Sequence, residues 1–132
     1  MNKHSPKTLL ESAAEARKNA HSKYSKFSVG SALLTEDGSV FLGCNVENAS
    51  YGLTICAERV ALTSAVAAGH KYFQAIAIVA DSLAAPCGAC RQVLAEFCKD
   101  DFPVYIASAK DNASFETHLM GKLLPERFQF NP

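Results

Sequence analysis

The hydrophobic and polar positions near the start of the chain repeat with helical spacing. The apolar residues that share one face are Leu9, Leu10, Ala13, Ala16 and Ala20. They recur every three or four residues, as the buried side of an α-helix requires. Ser5 precedes them as a typical N-cap and Pro6 as a typical first helical residue. The pattern predicts a first helix that ends near His21.

Later segments carry the patterns of strands. Residues 27–48, "FSVGSALLTEDGSVFLGCNVEN", contain two strand-like runs around Asp37 and Gly38, a dipeptide that favours a hairpin turn. Residues 75–80 ("AIAIVA") and 103–108 ("PVYIAS") are continuous apolar runs, which are typical of strands covered on both faces. Residues 114–118, "SFETH", are predicted to form a fifth strand at the edge of the sheet.

Two further helices are predicted between these strands. Residues 56–68 are rich in alanine and valine, and Gly69 provides a C-terminal stop. Pro86 disfavours helix at Ala85, so the next helix spans about 87–98. Residues 120–124 form a last helical turn closed by Pro125. The order α-β-β-α-β-α-β-β, with a βαβ unit, predicts an α/β fold: a three-layer α/β/α sandwich with a mixed central sheet of about five strands.

Composition and charge exclude several classes of protein. At 132 residues, 48% of them hydrophobic, the chain fits one domain over residues 1–132 with its own core. No apolar run is long enough to cross a bilayer, and the N-terminal residues lack the apolar core of a secretion signal. We therefore expect a cytoplasmic protein without a membrane partner. Lys and Arg total 13, as do Asp and Glu, so nucleic-acid binding is disfavoured.

The five cysteines are better suited to a metal than to disulfides. Their number is odd, and a reducing compartment keeps thiols free. Cys56 begins one predicted helix, while Cys87 and Cys90 form a Cys-x-x-Cys at the start of another, where the helix dipole favours thiolates. That geometry suits a redox pair as well as zinc, but a redox pair leaves Cys56 without a role.

A structural zinc would require a fourth protein ligand. The candidates are Cys44, Cys98, His4, His21, His70 and His118, and none of them stands at a recognisable ligand spacing. Cys98 falls on the buried side of its helix and Cys44 alternates with Val40, Leu42 and Val46 along one strand face, so both are predicted to be core residues. Three protein ligands with an open position are typical of catalytic zinc.

Glu58 supports the catalytic interpretation. It stands two residues after Cys56, about 200° round an ideal helix, but side chains can still converge on a metal that caps the helix end. Zinc can lower the pKa of a bound water to about 7, and a nearby carboxylate can carry its proton to a leaving group. Arg59, three residues after Cys56, is placed to donate to a ligand sulfur and moderate the charge. An ordinary helix-end glutamate and a solvated arginine are the simpler alternatives.

These motifs strongly resemble the small, homotetrameric, zinc-dependent cytidine deaminases. The resemblance rests on "YSKFSVGSALL", "GCNVENASYGLTICAERVAL", "PCGACRQVLAEFC" and "LLPERF", which together reach from residue 24 to 128. It implies that Cys56, Cys87 and Cys90 bind Zn²⁺. It further implies that Glu58 activates water, protonates N3 and carries a proton to the departing ammonia, while Arg59 tunes the thiolates.

The resemblance also assigns substrate-binding roles. The residues concerned are Phe27, Asn45, Glu47, Tyr51, Ala57 and Phe128. Asn45 and Glu47 would bind the ribose, Phe27 would pack on the pyrimidine, and the Ala57 backbone would contact the base. Tyr51 and Phe128 would reach into or beside a neighbouring subunit's site. Without the resemblance, a solvent-facing strand end would better explain Asn45 and Glu47, and simple core packing would explain Phe27.

Three departures from the family pattern stand out. Ser28 and Ser31 occupy positions where proline and alanine are common, and neither change is expected to affect a named residue. The segment "DSLAAPCGAC" is shorter than usual, and the chain ends soon after Phe128 with "QFNP". Both features put the shape of the loop and the cross-subunit contact in question.

The implied activity is the hydrolytic deamination of cytidine and 2′-deoxycytidine to uridine and 2′-deoxyuridine in pyrimidine salvage. A relative acting on blasticidin S or deoxycytidine monophosphate shares the zinc motifs and is the enzymatic alternative. A structural zinc module is the non-enzymatic one. Balanced charge and a cysteine as first ligand disfavour polynucleotide editing.

Overall fold

A five-stranded mixed sheet forms the centre of the protein, in a computed structural model that describes residues 4–132. Its strands are β1 (Val29–Thr35), β2 (Val40–Cys44), β3 (Phe73–Ala80), β4 (Pro103–Ser108) and β5 (Asp111–Leu119). They lie in the order β2-β1-β3-β4-β5. Strands β3 and β4 are parallel, whereas the other neighbouring pairs are antiparallel.

Helices cover both faces of this sheet. They are α1 (Pro6–Arg17), α2 (Ala57–Ala67), α3 (Gly88–Phe97) and α4 (Met120–Leu123), with a 3₁₀ turn at Tyr51–Leu53. Leu9 and Leu10 of α1 pack in one cluster with Val79 and other small apolar residues of the sheet. Residues of α2, α3 and α4 pack in a second cluster on the opposite face. The predicted three-layer sandwich with five strands is confirmed. A βαβ unit is present, but it is formed by β3, α3 and β4; the helix that precedes β3 does not belong to one, because β3 pairs with β1 in antiparallel orientation and does not pair with β2.

Two glycines allow helices to approach the sheet closely. A Cβ atom at Gly30 would lie 2.0 Å from the Ala13 carbonyl oxygen, so α1 crosses β1 at this point. A Cβ atom at Gly43 would lie 2.2 Å from the Ala57 carbonyl oxygen. The first turn of α2 therefore rests directly on β2, and this contact fixes the position of the residues at the start of α2.

The first helix is shorter than predicted. It ends at Arg17, with Lys18 as its C-cap, instead of near His21. The His21 N–H donates to the Asn45 carbonyl oxygen at 2.9 Å, and the Glu47 N–H donates to the His21 carbonyl oxygen at 2.8 Å. These bonds hold residue 21 in an extended bridge with the segment that follows β2, which is incompatible with helix.

The remaining element predictions differ from the structure only in extent. The edge strand predicted at residues 114–118 is β5, which covers Asp111–Leu119 and is largely exposed. The other predicted strands and helices begin and end within two residues of the observed ones, apart from the hairpin: its first strand was expected to start at 27 and its second to reach 48, whereas β1 starts at Val29 and β2 ends at Cys44. Among residues 4–132, no helix has both the length and the apolar character needed to span a membrane.

The two cysteines assigned to the core have different surroundings. Cys98 is 4% exposed, which confirms its prediction. Cys44 is only half-buried, and its face neighbours Leu42 and Val46 are 48% and 43% exposed, so the core prediction for Cys44 is wrong. The reason is that α2 covers the opposite face of this edge strand, at Gly43, and leaves the Cys44 face open in the single chain.

Candidate active site

Three cysteine sulfurs meet where two helices begin. Cys56 is the N-cap of α2, Cys87 is the N-cap of α3, and Cys90 lies in the first turn of α3. All three Sγ atoms lie within 4.8 Å of one another, and no other such group of potential metal ligands occurs within residues 4–132. We call these residues the thiol cluster.

The spacing of the thiol cluster fits zinc. The Sγ atoms of Cys56 and Cys87 are 3.8 Å apart. Two ligands at tetrahedral corners with Zn–S bonds of about 2.3 Å would be separated by about 3.8 Å. Three sulfurs leave one tetrahedral position open, which is the arrangement of catalytic zinc sites. The prediction of a zinc cofactor is therefore supported by both the donor atoms and their geometry.

Hydrogen bonds and helix ends favour ionised sulfur here. The Cys90 N–H donates to Cys87 Sγ at 3.4 Å, and Arg59 Nη2 donates to Cys56 Sγ at 3.5 Å. A hydrogen bond from Cys90 lowers the pKa of Cys56, with Arg59 assisting against the opposing effect of burial. The same bond raises the pKa of Cys90, since that thiol keeps the shared proton. A divalent cation would replace this proton and allow all three sulfurs to ionise.

Arg59 lies directly behind the thiol cluster. Its contact with Cys56 raises the pKa of the guanidinium, which therefore remains charged. Its Nε–H is buried and has no hydrogen-bond partner among the described residues. A buried unpaired donor is costly, and the negative charge of ionised thiols nearby offsets part of that cost.

Glu58 is a buried carboxyl group beside these sulfurs. Only 5% of the residue is exposed, and burial raises the pKa of Glu58 to about 7. The charge of Cys56 raises this pKa further, whereas the Glu58 backbone N–H and Arg59 lower it. Cys56 has the extended backbone of an N-cap (φ −74°, ψ 156°), so the 200° separation of an ideal helix does not apply to the pair. Glu58 can exchange protons near neutral pH.

A cavity of about 270 Å³ opens onto these groups, and we call it the site cavity. Its wall comprises Ser25, Phe27, Val29, Asn45, Glu47, Thr54, Cys56, Ala57, Glu58, Ile78, Ala84, Ala85 and Cys87. Cys90 lies behind this wall and is fully buried. Phe27, Asn45, Glu47 and Ala57, assigned to substrate binding by resemblance, thus share one cavity with Glu58 and two of the sulfurs. The volume suits a small molecule.

Asn45 holds the backbone on both sides of Ser28. Its Oδ1 accepts from the Val29 N–H at 2.9 Å, and its Nδ2 donates to the Phe27 carbonyl oxygen at 2.9 Å. The residue is 7% exposed, so it does not face solvent as the alternative interpretation expected. The amide fixes the position of Phe27 in the cavity wall.

Glu47 holds the neighbouring loop through its carboxylate. Oε1 accepts from the N–H groups of Tyr24 and Ser25 at 2.9 and 3.1 Å, and the Ser25 hydroxyl donates to Oε2. The hydrogen bond from the Ser25 side chain is the main reason that the pKa of Glu47 is lowered. Ser25 Oγ also accepts from the Phe27 N–H at 2.9 Å. Glu47 therefore stays ionised and organises the loop that carries Phe27.

Tyr51 and Phe128 occupy different surfaces in the single chain. Tyr51 is 73% exposed and lines a second cavity of about 340 Å³ that shares Ser25, Glu47 and Thr54 with the site cavity. Phe128 is 74% exposed and lines a separate depression with Gln92, Glu96 and other C-terminal residues. The structure brings Tyr51 to the outer end of the site and does not bring Phe128 there.

Sequence reasoning missed two serines. Ser25 joins Glu47 to the Phe27 backbone, as described above. Ser31 was expected to affect no named residue, and this expectation is wrong because its hydroxyl donates to the Ala57 carbonyl oxygen at 2.8 Å, with both residues fully buried. The departure from alanine at position 31 was the available signal. What the sequence did not reveal is that residues 31 and 57 are in contact.

Known proteins match most of the length of this chain in sequence and in fold. A sequence model described as the cytidine and deoxycytidylate deaminase zinc-binding region matches residues 3–106. The cytidine deaminase of Sporosarcina psychrophila is 48% identical over 122 residues, covering 91% of this chain and 88% of the relative. That of Halalkalibacterium halodurans is 49% identical, covering 91% of each chain. The crystal structure of the cytidine deaminase from Burkholderia pseudomallei is 48% identical, with a TM-score of 0.87 over 97% of this chain and all of that one. The chain therefore belongs to the cytidine and deoxycytidylate deaminase family.

Proposed function

We propose that this protein catalyses the hydrolytic deamination of cytidine and 2′-deoxycytidine to uridine and 2′-deoxyuridine, with release of ammonia. The observation that carries the proposal is the convergence of three sulfurs and a buried carboxyl group of raised pKa on one small cavity. The names of the relatives at 48% and 49% identity give the substrate class.

Cys56, Cys87 and Cys90 would hold a zinc ion in this protein. The chemistry that zinc supplies when bound is the activation of water at neutral pH. Arg59 donates to Cys56 and offsets part of the charge of three thiolates, which would otherwise weaken the metal as a Lewis acid.

Glu58 moves the protons of the reaction. Its pKa of about 7 allows the carboxylate to accept a proton from the attacking water and release it again at neutral pH. It delivers that proton to N3 of the pyrimidine, and it later takes a second proton from the hydroxyl added at C4 and carries it to the amino group that leaves C4. The net change is the addition of water and the loss of ammonia, so the carboxylate returns to its starting state.

The remaining walls of the site cavity bind the nucleoside. Phe27 packs on the pyrimidine ring, and the Ala57 backbone contacts the base. The Asn45 amide has a second N–H beyond the one given to Phe27, and the Glu47 carboxylate has further lone pairs, so both can bind sugar hydroxyls. Their hydrogen bonds to residues 24–29 pre-organise the site before substrate enters.

We further propose that the single domain of residues 1–132 assembles as a homotetramer. The open side of β2 at Leu42 and the half-buried Cys44 continues to the exposed Val46 that follows the strand. This surface and the exposed Tyr51 and Phe128 are what a neighbouring subunit would cover. Tyr51 and Phe128 would then complete the site of a neighbour. A nucleoside substrate fits a role in pyrimidine salvage, which we propose takes place in the cytoplasm.

The test is ammonia release by zinc-loaded protein with four separate substrates: cytidine, 2′-deoxycytidine, deoxycytidine monophosphate and blasticidin S. Turnover of the two nucleosides alone is the expected result. Turnover of only the nucleotide or of only blasticidin S would refute the substrate while retaining the chemistry. Tight zinc binding without any turnover would favour a structural zinc module.

Two variants separate catalysis from metal binding in this assay. Glu58→Ala should retain zinc and the fold but lose turnover, whereas Cys87→Ala should lose zinc itself. Sedimentation or size-exclusion chromatography with light scattering gives the oligomeric state directly, and a monomer that is fully active would refute the shared site.

A further inference from the structure

Arg91 makes two hydrogen bonds that neither the zinc ligands nor the substrate site explains. Its Nε–H donates to the Pro86 carbonyl oxygen at 2.7 Å, and its Nη1–H donates to the Leu123 carbonyl oxygen at 2.8 Å. Pro86 directly precedes Cys87, and Leu123 is the last residue of α4. One guanidinium therefore connects the approach to a metal ligand with the C-terminal turn of the chain.

Cys87 is the zinc ligand with the least support from packing. Cys90 is fully buried within α3, and Cys56 is half-buried, but Cys87 is exposed. Cys87 also ends a segment, residues 81–87, that forms neither helix nor strand, and we call this segment the metal loop. Apart from the hydrogen bond from the Cys90 N–H, little holds this exposed sulfur, so its position depends largely on how the backbone of the metal loop is held.

Arg91 supplies that restraint at the end of the metal loop. The Pro86 carbonyl belongs to the peptide group that leads into Cys87, so fixing its direction fixes the peptide plane on one side of the Cys87 Cα. The Arg91 backbone N–H donates to the Cys87 carbonyl oxygen at 2.9 Å on the other side, and together these bonds restrain the orientation of the Cys87 Cα–Cβ bond. The start of the loop is held separately, by an ion pair between Asp81 and Arg17 and by a hydrogen bond from Ser108 Oγ to the Asp81 carbonyl oxygen at 3.2 Å. The loop is thus anchored at both ends.

The second hydrogen bond holds the guanidinium itself in place. Leu123 is 8% exposed and Met120 is fully buried, so α4 is a rigid point of attachment. A guanidinium can donate to two carbonyls in fixed directions, whereas a lysine ammonium on a flexible stem does so poorly. The side chain of a helical residue also points toward the helix N-terminus, which takes Arg91 back past Cys87 to Pro86.

We propose that Arg91 is a positioning residue for Cys87 and that it couples the C-terminal turn to the zinc site. The proposal rests on the proposed zinc function. Arg91 touches neither substrate nor metal and acts by keeping the exposed ligand on the cluster, which slows release of the ion. The C-terminal segment that ends in Phe128 is thereby mechanically linked to the metal loop.

The experiment compares wild type, Arg91→Met, Arg91→Lys and the matched control Arg127→Met. Arg127 lies in the C-terminal region and, like Arg91, makes a hydrogen bond through its guanidinium, with Nη1 2.7 Å from Asp100 Oδ1. It does not line the site cavity. The zinc-loaded proteins are mixed with excess chromophoric chelator and the rate of zinc release is recorded. The charge-transfer and d–d absorption bands of the Co²⁺-substituted proteins report ligand geometry without reference to turnover.

We expect Arg91→Met to release zinc about 10- to 100-fold faster than wild type, because the loss of outer contacts of metal ligands lowers metal affinity by about that factor. Arg91→Lys should fall between the two, and Arg127→Met should match wild type. The cobalt spectrum should change in Arg91→Met only. In steady state, kcat should fall while KM stays nearly constant, because the substrate-binding wall is untouched.

Zinc release and cobalt spectra that are the same in Arg91→Met as in wild type would overturn the proposal while leaving the proposed function intact. Circular dichroism establishes folding, and if Arg91→Met does not fold, the same comparison with Arg91→Lys decides. Wild-type protein that binds no zinc would overturn the proposed function and this proposal together. Faster release in Arg127→Met equal to that in Arg91→Met would assign the effect to general loosening of the C-terminal region and also overturn it.

Discussion

Two carboxyl groups line the site cavity, and their surroundings shift their pKa values in opposite directions. Glu58, at the start of α2, is buried, and this raises its pKa to about 7. Glu47, in the segment after β2, accepts hydrogen bonds from Tyr24 and Ser25, and the Ser25 side chain contributes most to lowering its pKa. One group is prepared to exchange protons, and the other remains charged.

The difference in pKa indicates that the two carboxyl groups have different tasks in the cavity. Carboxyl groups whose environments separate their pKa values take different chemical roles. The inner wall, where Glu58 meets the thiol cluster, has few polar partners for the carboxyl and therefore favours proton transfer. The outer wall, where Glu47 meets the loop, is rich in N–H donors and favours binding and organisation. Variants that change the surroundings or the charge of either carboxyl group test whether the two groups have different roles.

The largest effect is expected from Glu58→Gln. The amide has nearly the same shape but cannot carry a proton, so kcat should fall by about 10²- to 10⁴-fold, the usual contribution of a general acid–base group. Zinc content, measured by atomic absorption, should stay the same. A variant that keeps most of its turnover would remove Glu58 from the proton-transfer role.

The same substitution should also stabilise the protein once zinc has been removed. A pKa raised from 4.5 to about 7 favours folding fully below pH 4.5, and that benefit is lost as the pH rises through 7. At pH 8 the ionised, buried carboxylate therefore costs about 3 kcal/mol. In urea unfolding, Glu58→Gln should be more stable than wild type at pH 8 and nearly equal at pH 4.5.

In the same urea unfolding experiments, the stability of Glu47→Gln relative to wild type should depend on pH in the opposite direction. Its lowered pKa contributes stability above pH 4.5, and this is lost as the pH falls through the folded-state value. The variant should therefore be less stable than wild type at neutral pH, and the difference should shrink in acid. A pH dependence of the same sign for both variants would refute the contrast between the two walls.

Glu47→Gln should have a smaller effect on activity than Glu58→Gln, and on a different constant. Replacing one carboxylate oxygen by an amide weakens both the loop and the sugar contact, so KM should rise by about tenfold, as expected for one charged hydrogen bond. The value of kcat should change much less. Initial rates over a range of cytidine concentrations separate the two constants, and a loss confined to kcat would contradict the binding role.

The smallest effect is expected from Ser25→Ala. The change removes the hydroxyl that donates to Glu47 and accepts from the Phe27 N–H. A loss of about 1 kcal/mol would raise KM by about fivefold. Ser64→Ala, an exposed position on the outer part of α2, is the matched control and should have no effect. Equal KM values for the two variants would show that Ser25 does not hold the outer wall.

Periodic patterns predicted most of the fold because they report burial directly. The run at 75–80 is apolar at every position and became β3, covered on both faces. The end of α1 was misplaced because residues 18–21 contain neither glycine nor proline, and the bridge from His21 to Val46 is a contact between distant residues. The extent of β5 was underestimated because an exposed edge strand has no apolar alternation to detect.

The site was predictable in its residues and not in its environments. Spacing and resemblance pointed to the three cysteines whose sulfurs lie together, since the motifs are local in sequence, and the catalytic role of Glu58 stays a prediction. The acidity of Glu58 depends on burial by the whole fold, and the bond from Ser31 to Ala57 joins residues 26 positions apart. Neither is encoded in a short motif, because each depends on the packing of α2 against the sheet.

Because the cysteines are unequally buried, their reactivity can distinguish loss of the metal from loss of the fold. Cys98 is sealed in the core, where burial raises its pKa to about 12, so it should resist alkylation for as long as the fold persists. Cys87 lies at the surface and should be shielded chiefly by its metal. A stored sample can be treated with an alkylating reagent and its peptides examined by mass spectrometry. Alkylation of Cys87 would indicate demetallation, and alkylation of Cys98 would indicate denaturation.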